Sequence, residues 1–330
     1  YIYGNGQTDS SPGSYGIMFY NYGENFHITN NTIINSYSCG MYLGLLGENK
    51  ATVIGNHVEG QDSTDDGTLP KGGIAVNGGH NLLIANNILK DNYRNISLIP
   101  LDVVNAGINI IGNALIGDVL AIKIAPNVDG DYSGVNISSN SFNGSSSGVY
   151  FFTAGGSYHG YRTKISNNDF ANVSVGVRTV TTCRQDGLMI SNNNIQASTY
   201  GLRLQASGVS YQITNNTVWG DCANYGMYIQ TIKGARITGN QLYDITTGKG
   251  MYTALSEGSF FGNQWPGCTT PIEVTASFDL GIDTPTFTAS DGTQIIRFEP
   301  STPDGNGRFW TGHIRANGAW EQTWMSDSTW

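Results

Sequence analysis

Charge is scarce in this chain: Asp, Glu, Lys and Arg make up 12% of its 330 residues, the net charge is −9 and the pI is about 4.9. An acidic chain lacks the basic surface that non-specific nucleic-acid or anionic-membrane binding needs, so neither partner is expected. Cysteine is as sparse. Cys39, Cys183, Cys222 and Cys268 stand far apart, with no CxxC or Cys/His metal spacing, and read as free thiols in or near a core; neither a metal nor any other cofactor is expected. No apolar run reaches the roughly 18 to 20 residues of a membrane-spanning helix, so no membrane insertion is expected. The opening Tyr1-Ile2-Tyr3-Gly4-Asn5-Gly6 is no charged-then-hydrophobic leader. Proline is rare too, at 9 residues, whereas glycine is abundant at 44, the composition of a β protein with many turns.

What fills the chain is a repeat. A small or polar residue, then Asn, a variable residue and an apolar one recur at Asn31, Asn56, Asn87, Asn113, Asn140, Asn168, Asn193, Asn216, Asn240 and Asn263. The nine intervals between Asn31 and Asn263 average about 26 residues, one coil of a solenoid. A turn Asn in such a coil hydrogen-bonds the backbone and its equivalent in the next coil, which predicts a ladder. A second frame, Gly then apolar, variable, apolar, recurs at Gly16, Gly40, Gly73, Gly148, Gly176, Gly201, Gly226 and Gly250. Its glycines are expected to supply turn geometry ahead of a strand. Short runs with period-two alternation are strands with one buried face, and stacked coils pair each strand with its equivalent in the next. The fold class is therefore all-β, a right-handed single-stranded parallel β-helix of about ten coils over residues 1–275. It begins without a capping segment, which implies chain preceding Tyr1.

From about Phe278 the character changes. Residues 276–330 hold Trp310, Trp320, Trp324 and Trp330, and Asn317-Gly318 lies between alternating stretches, a type I′ hairpin signal. A small β-rich C-terminal module is expected there. Its aromatic density implies a partner, either identical subunits around a threefold axis or a glycan.

The tandem coils, as in Ile28-Thr29-Asn30-Asn31-Thr32-Ile33 and Gly201-Leu202-Arg203-Leu204, resemble the pectate-lyase-like β-helix superfamily. A solenoid followed by a short aromatic β tail resembles a bacteriophage tailspike. That resemblance implies a homotrimer on a virion tail or otherwise extracellular, which binds and usually cleaves a bacterial surface polysaccharide. The superfamily also holds lyases, epimerases, transferases and adhesins, so the fold does not fix the reaction. The chain lacks the acidic triplet with an Arg pair of pectate lyases, and the Gly-His-Gly and paired-Asp motifs of polygalacturonases.

Stacking brings equivalent positions into columns, so the outward residue of the Gly-led strand can be read coil by coil: Met18, Tyr42, Ala75, Ser97, Lys123, Tyr150, Arg178, Arg203, Tyr228 and Tyr252. Tyr rings suit sugar faces, and Lys and Arg suit carboxylates, so this stripe suits an extended acidic glycan along the helix axis. Such side chains also cover an exposed sheet or a subunit interface. Lys123, Tyr150, Arg178, Arg203 and Tyr228 are the candidate binding residues, with His159 and Tyr161 beside them.

The leading reading is a glycosidase that hydrolyses the polysaccharide, with a polysaccharide lyase and a non-catalytic adhesin or structural spike as the alternatives. Hydrolysis needs two carboxyl groups, about 5 Å apart for retention or roughly 6.5 to 9.5 Å for inversion. Asp102, Asp129 and Asp131, just past the outward strand, are the candidate acid and base, with Asp91 and Asp118 read as a second column. β-Elimination needs a partner for a uronate carboxylate and a base, roles within reach of Lys123, His159, Tyr161, Arg162 and Arg178, with His80 a further candidate base. A non-catalytic adhesin or structural spike needs only the stripe.

Overall fold

A computed structural model describes residues 2–3, 15–20, 25–36, 39–45, 50–61, 72–78, 81–98, 105–125, 131–152, 158–254, 257–274, 294–297, 308–314 and 320–326. The chain is a parallel β-helix. Strands from successive coils pair in parallel, in a 19-stranded sheet, an 11-stranded sheet and a short four-stranded one. The 19-stranded sheet takes two strands from a typical coil, the one after the repeated Asn and the Gly-led one. The 11-stranded sheet takes the strand before the Asn.

Register turns the sequence repeat into a core. Ile28, Val53, Ile84, Ile110, Ile137, Ile165, Ile190, Ile213 and Ile237 pair in sequence along the 11-stranded sheet, and all are buried. Facing them are Ile33, Val58, Leu89, Leu115, Phe142, Phe170, Ile195, Val218 and Leu242 from the strand after the Asn. The Phe142 and Phe170 rings stack 4.2 Å apart at 9°. Like side chains above like keep each layer the same width, so every coil adds its apolar area to one continuous interior.

The bend between the two sheets is held by the predicted ladder. Each Nδ2 donates to the next Oδ1 from Asn31 through Asn56, Asn87, Asn113, Asn140, Asn168, Asn193, Asn216 and Asn240 to Asn263, at 2.8 to 3.1 Å. Those same oxygens accept a backbone N–H from the preceding coil, as Asn140 N–H donates to Asn168 Oδ1 at 2.9 Å. The amide also donates to a carbonyl of the preceding coil, Asn140 to Ile110 at 2.9 Å. These buried amides thereby satisfy backbone groups that a bend would otherwise strand.

The residue before each ladder Asn carries the turn. Asn30, Asn86, Ser139, Asn167, Asn192 and Asn215 are left-handed there, alternating with Gly55, Gly112, Gly239 and Gly262. This corrects the expectation that the glycines of the second frame make turns. Gly148, Gly176, Gly201 and Gly226 lie within extended strands. A Cβ on Gly176 would meet Gly201 O at 2.5 Å and Ile195 Cγ2 at 2.7 Å, and one on Gly148 would meet the Phe170 ring at 2.5 Å. Two layers approach too closely there for any side chain.

In the C-terminal segment Arg308–Ile314 pairs antiparallel with Gln294–Arg297 and with Trp320–Ser326, Ile314 lying opposite Trp320. That antiparallel pair flanks the Asn317-Gly318 signal, which lies outside the described residues.

Candidate functional site

Parallel pairing makes the outward stripe a physical column. Lys123 is registered on Tyr150, Tyr150 on Arg178, Arg178 on Arg203, Arg203 on Tyr228 and Tyr228 on Tyr252, one coil or about 4.8 Å apart. All six side chains are half-buried. Toward the N-terminal end the column closes: Ser97, Ala75 and Tyr42 are buried, and Tyr42 accepts an amide hydrogen bond from Asn77 at 3.2 Å. Met18 beyond them is exposed. The accessible track therefore runs from Lys123 to Tyr252.

Its cations and rings are packed on one another. Lys123 Nζ lies 4.9 Å from the Phe152 ring centroid. The guanidinium of Arg178 lies 4.8 Å from the Tyr150 ring and that of Arg203 lies 5.1 Å from Tyr200. The Tyr228 and Tyr252 rings stack 4.6 Å apart at 13°, Tyr225 tilts onto Tyr228 at 5.2 Å, and Lys249 Nζ sits 5.8 Å from Tyr225. Ring faces are thus largely taken by neighbours, and the groove offers guanidinium N–H groups and phenol edges. Burial holds the Tyr150 phenol above its ordinary pKa, against the pull of Arg178 and Arg203.

Arg178 and Arg203 have no carboxylate ion-pair partner among the described residues, and the Nε of each is buried without a hydrogen bond. With Nε enclosed, only the terminal N–H groups of each half-buried guanidinium remain for a ligand from outside. Tyr200, Tyr225 and Lys249 were missed in the sequence, although each directly precedes a glycine of the Gly-led frame. That position forms its own column, Tyr200 on Tyr225 and Tyr225 on Lys249.

The other candidates lie on the short sheet, around the corner from the track. Asp131 is registered on His159 and His159 on Arg184, while Ser133, Tyr161 and Asp186 make the parallel column two residues on. His159 Nδ1 is 3.2 Å from the Tyr161 hydroxyl. Arg184 binds Asp186 through Nε at 3.1 and 3.2 Å and through a terminal nitrogen at 3.0 Å. Asp102 and Asp129 lie outside the described residues, and of Asp131 the strand position is described.

Asp91 and Asp118 do not share a column. Asp91 is a left-handed turn residue aligned with Gly117, whose Cβ would meet Asp91 Oδ1 at 2.3 Å. Asp118, one place further on, is buried and accepts a hydrogen bond from Asn95 Nδ2. Desolvation pushes its carboxyl up to about 7, but it faces the interior turn and not the track.

Residues 130–276 match the family model described as periplasmic copper-binding protein (NosD), somewhat less than half of the chain. Copper needs thiolate, imidazole or thioether donors converging on one point. In the matched segment desolvation pushes the Cys183 and Cys222 thiols up to about 12 and that of Cys268 to about 11. Cys222 and Cys268 donate to the carbonyls of Ala197 and Leu242. Among the described residues no three His, Cys, Asp or Glu converge. The described residues offer no donor set that fits a copper centre.

No curated protein matches the chain in sequence. Among solved structures, the Dettilon tailspike protein is similar with 9% identity and a TM-score of 0.44, covering 90% of this chain and 68% of that one. PfbA, a surface adhesin of Streptococcus pneumoniae, shares 12% identity with a TM-score of 0.35, covering 90% and 87%. The tailspike receptor binding domain of siphovirus 9NA shares 10% identity with a TM-score of 0.29, covering 94% and 82%. Likenesses this distant carry no argument about chemistry.

Proposed function

We propose that the chain binds an acidic bacterial surface polysaccharide along the track from Lys123 to Tyr252 and depolymerises it, as an extracellular or virion-tail protein. One observation supports this most: Arg178 and Arg203 stand in register, braced on Tyr150 and Tyr200, with no acidic partner of their own among the described residues. Two guanidinium groups about 4.8 Å apart would repel each other, a cost offset when carboxylates of a bound chain lie along them.

Affinity electrophoresis against a panel of acidic capsular polysaccharides and their carboxyl-reduced forms tests the reading. The acidic forms should retard the protein, and Arg178→Ala with Arg203→Ala should abolish the retardation. Equal retardation by the reduced forms would overturn it. In its hydrolytic form the reading assigns acid and base among Asp102, Asp129 and Asp131; replacing each by Asn, with new reducing ends as readout, identifies them. A homotrimer built with residues 276–330 belongs to the same reading, and light scattering at the mass of one chain would remove it.

A non-catalytic adhesin is the second reading. It is favoured by the absence of Asp or Glu from the track column between Lys123 and Tyr252.

A further inference from the structure

The short sheet carries a cluster that the track does not use. His159 and Tyr161 leave one face of their strand, the alternate Gly160 being buried, and Arg184 and Asp186 leave the same face one coil on, with Gln185 buried between them. Register sets His159 opposite Arg184 and Tyr161 opposite Asp186. The four side chains thus stand at the corners of a patch about 4.8 Å by about 6.6 Å, roughly one sugar ring in extent. Within it His159 Nδ1 and the Tyr161 hydroxyl are 3.2 Å apart, and His159 Nε2 has no hydrogen bond among the described residues. Asp186 accepts from Val209 N–H at 3.1 Å as well as from Arg184, so the guanidinium is held by a fixed carboxylate. Arg184 is still exposed along nearly half of its side chain, at 47%, while the Asp186 carboxylate beneath it is at 17%.

The patch adjoins the track. Arg178 is joined to Arg184 through the short link Thr179-Val180-Thr181-Thr182-Cys183, and Cys183 is among the groups acting on the Tyr150 phenol. A glycan held at Arg178 and Arg203 therefore passes the corner beyond which His159 and Tyr161 lie.

We propose that His159, Tyr161 and Arg184 form an eliminating site for a uronate-containing glycan. The inference rests on the reading of the track as an acidic-glycan site and departs from its hydrolytic form. Arg184 pairs with the uronate carboxylate, which makes the proton on the adjacent ring carbon acidic. In the tautomer whose Nδ1–H donates to the Tyr161 oxygen, His159 Nε2 takes that proton. The C–H electron pair becomes the ring double bond, and the bond from the next carbon to the glycosidic oxygen breaks with its electrons going to oxygen. That oxygen takes the phenolic proton of Tyr161. The imidazolium returns a proton from Nδ1 to the tyrosinate across the 3.2 Å contact, and exchange with solvent restores the starting tautomer. No water is consumed and no oxidant is needed. Base and acid stand on one face, so the proton and the leaving group depart from the same side of the sugar.

The full chain, with its fold checked by circular dichroism, is incubated with mannuronate-rich alginate and with hyaluronan, in whose uronates the C5 proton and the C4 oxygen lie on one face, and each is also run in affinity electrophoresis. A bound polymer should yield products with the ultraviolet absorbance of an unsaturated uronate. His159→Ala and Tyr161→Phe should each lower kcat at least a hundredfold with retardation unchanged. Arg184→Ala should raise KM more than it lowers kcat, and Arg184→Lys should restore part of the loss. Binding with reducing ends but no unsaturation overturns the eliminating site and leaves the glycan reading standing. So does binding without cleavage, or undiminished unsaturated product from the His159 and Tyr161 variants. Retardation by neither polymer, nor by any acidic capsule, removes the glycan reading itself.

Discussion

Arg178 and Tyr150 occupy the same position on adjacent coils, and the guanidinium carbon of Arg178 lies 4.8 Å from the centroid of the Tyr150 ring. The ring packs against the cation and register fixes its height, so the terminal N–H groups of this half-buried side chain are held near one place along the track. A planar fork held this way suits a carboxylate approached edge-on. Lysine keeps the charge but has neither the plane nor the fork. Arg178→Lys should therefore lose about tenfold in affinity for an acidic glycan, close to the loss in Arg178→Ala, the scale of one charge-assisted hydrogen bond. Titration of retardation against glycan concentration measures this; full binding by the lysine variant would mean that point charge suffices.

The ladder gives a stability prediction. Asn140 sits mid-stack, its Nδ2 donating to Asn168 Oδ1 and to the Ile110 carbonyl, while its Oδ1 accepts from Asn113 N–H and Nδ2. Asn140→Ala leaves buried donors and acceptors in the two adjacent coils without partners, a cost of about 3 kcal/mol or more. Asn31, at the partly exposed end of the ladder, can replace lost partners with water, so Asn31→Ala should cost well under half as much. Thermal unfolding of the two variants side by side checks the ratio.

The columns were legible in the sequence because a solenoid converts a fixed repeat length into spatial adjacency: aligning the Gly-led frame put Lys123, Tyr150, Arg178, Arg203 and Tyr228 in one file, and the strand register does the same. Asn recurrence likewise disclosed the ladder. The packing reason for the glycines was not legible, since it depends on how far Phe170 and Ile195 reach across the interior. Neither was the closing of the track at Ser97, Ala75 and Tyr42. The pairing of Arg184 with Asp186 escaped notice because the short sheet has no constant motif to align, its strands here being Asp131–Ser133, Tyr158–Tyr161 and Cys183–Asp186.

Asp118 makes stability depend on pH in the direction opposite to a salt-bridged carboxylate. Its carboxyl titrates at about 7 in the folded chain against 3.8 ordinarily, with desolvation the main cause. Well below pH 3.8 it is neutral in both states and costs nothing. As pH rises toward 7 the unfolded chain loses the proton first, so the folded state is progressively disfavoured, by on the order of a few kcal/mol once the pH passes 7. Asp118→Asn keeps an acceptor for Asn95 and removes the charge. It should raise the melting temperature at pH 8 and leave it nearly unchanged at about pH 3; an equal effect at both values would assign the change to packing.

The glycines of the Gly-led strands test the packing account of the fold against the turn account. If Gly176 served a turn, alanine would be costly only through a left-handed backbone, yet Gly176 lies inside the strand Asp169–Thr179. Strand backbone admits alanine without strain, so by that account the change would be nearly neutral. The geometry says otherwise: the added methyl would fall 2.5 Å from the Gly201 carbonyl oxygen and 2.7 Å from a methyl of Ile195, distances that force the coils apart. Overpacking of a rigid interior costs about 1 to 3 kcal/mol. Trimming the opposing side chain should relieve part of this, so Gly176→Ala combined with Ile195→Ala should be less destabilised than the sum of the two single variants, a coupling of about 0.5 kcal/mol or more. Strict additivity in denaturant unfolding would show that the methyl meets only the carbonyl, whereas a neutral Gly176→Ala would show that the layers are not in contact there.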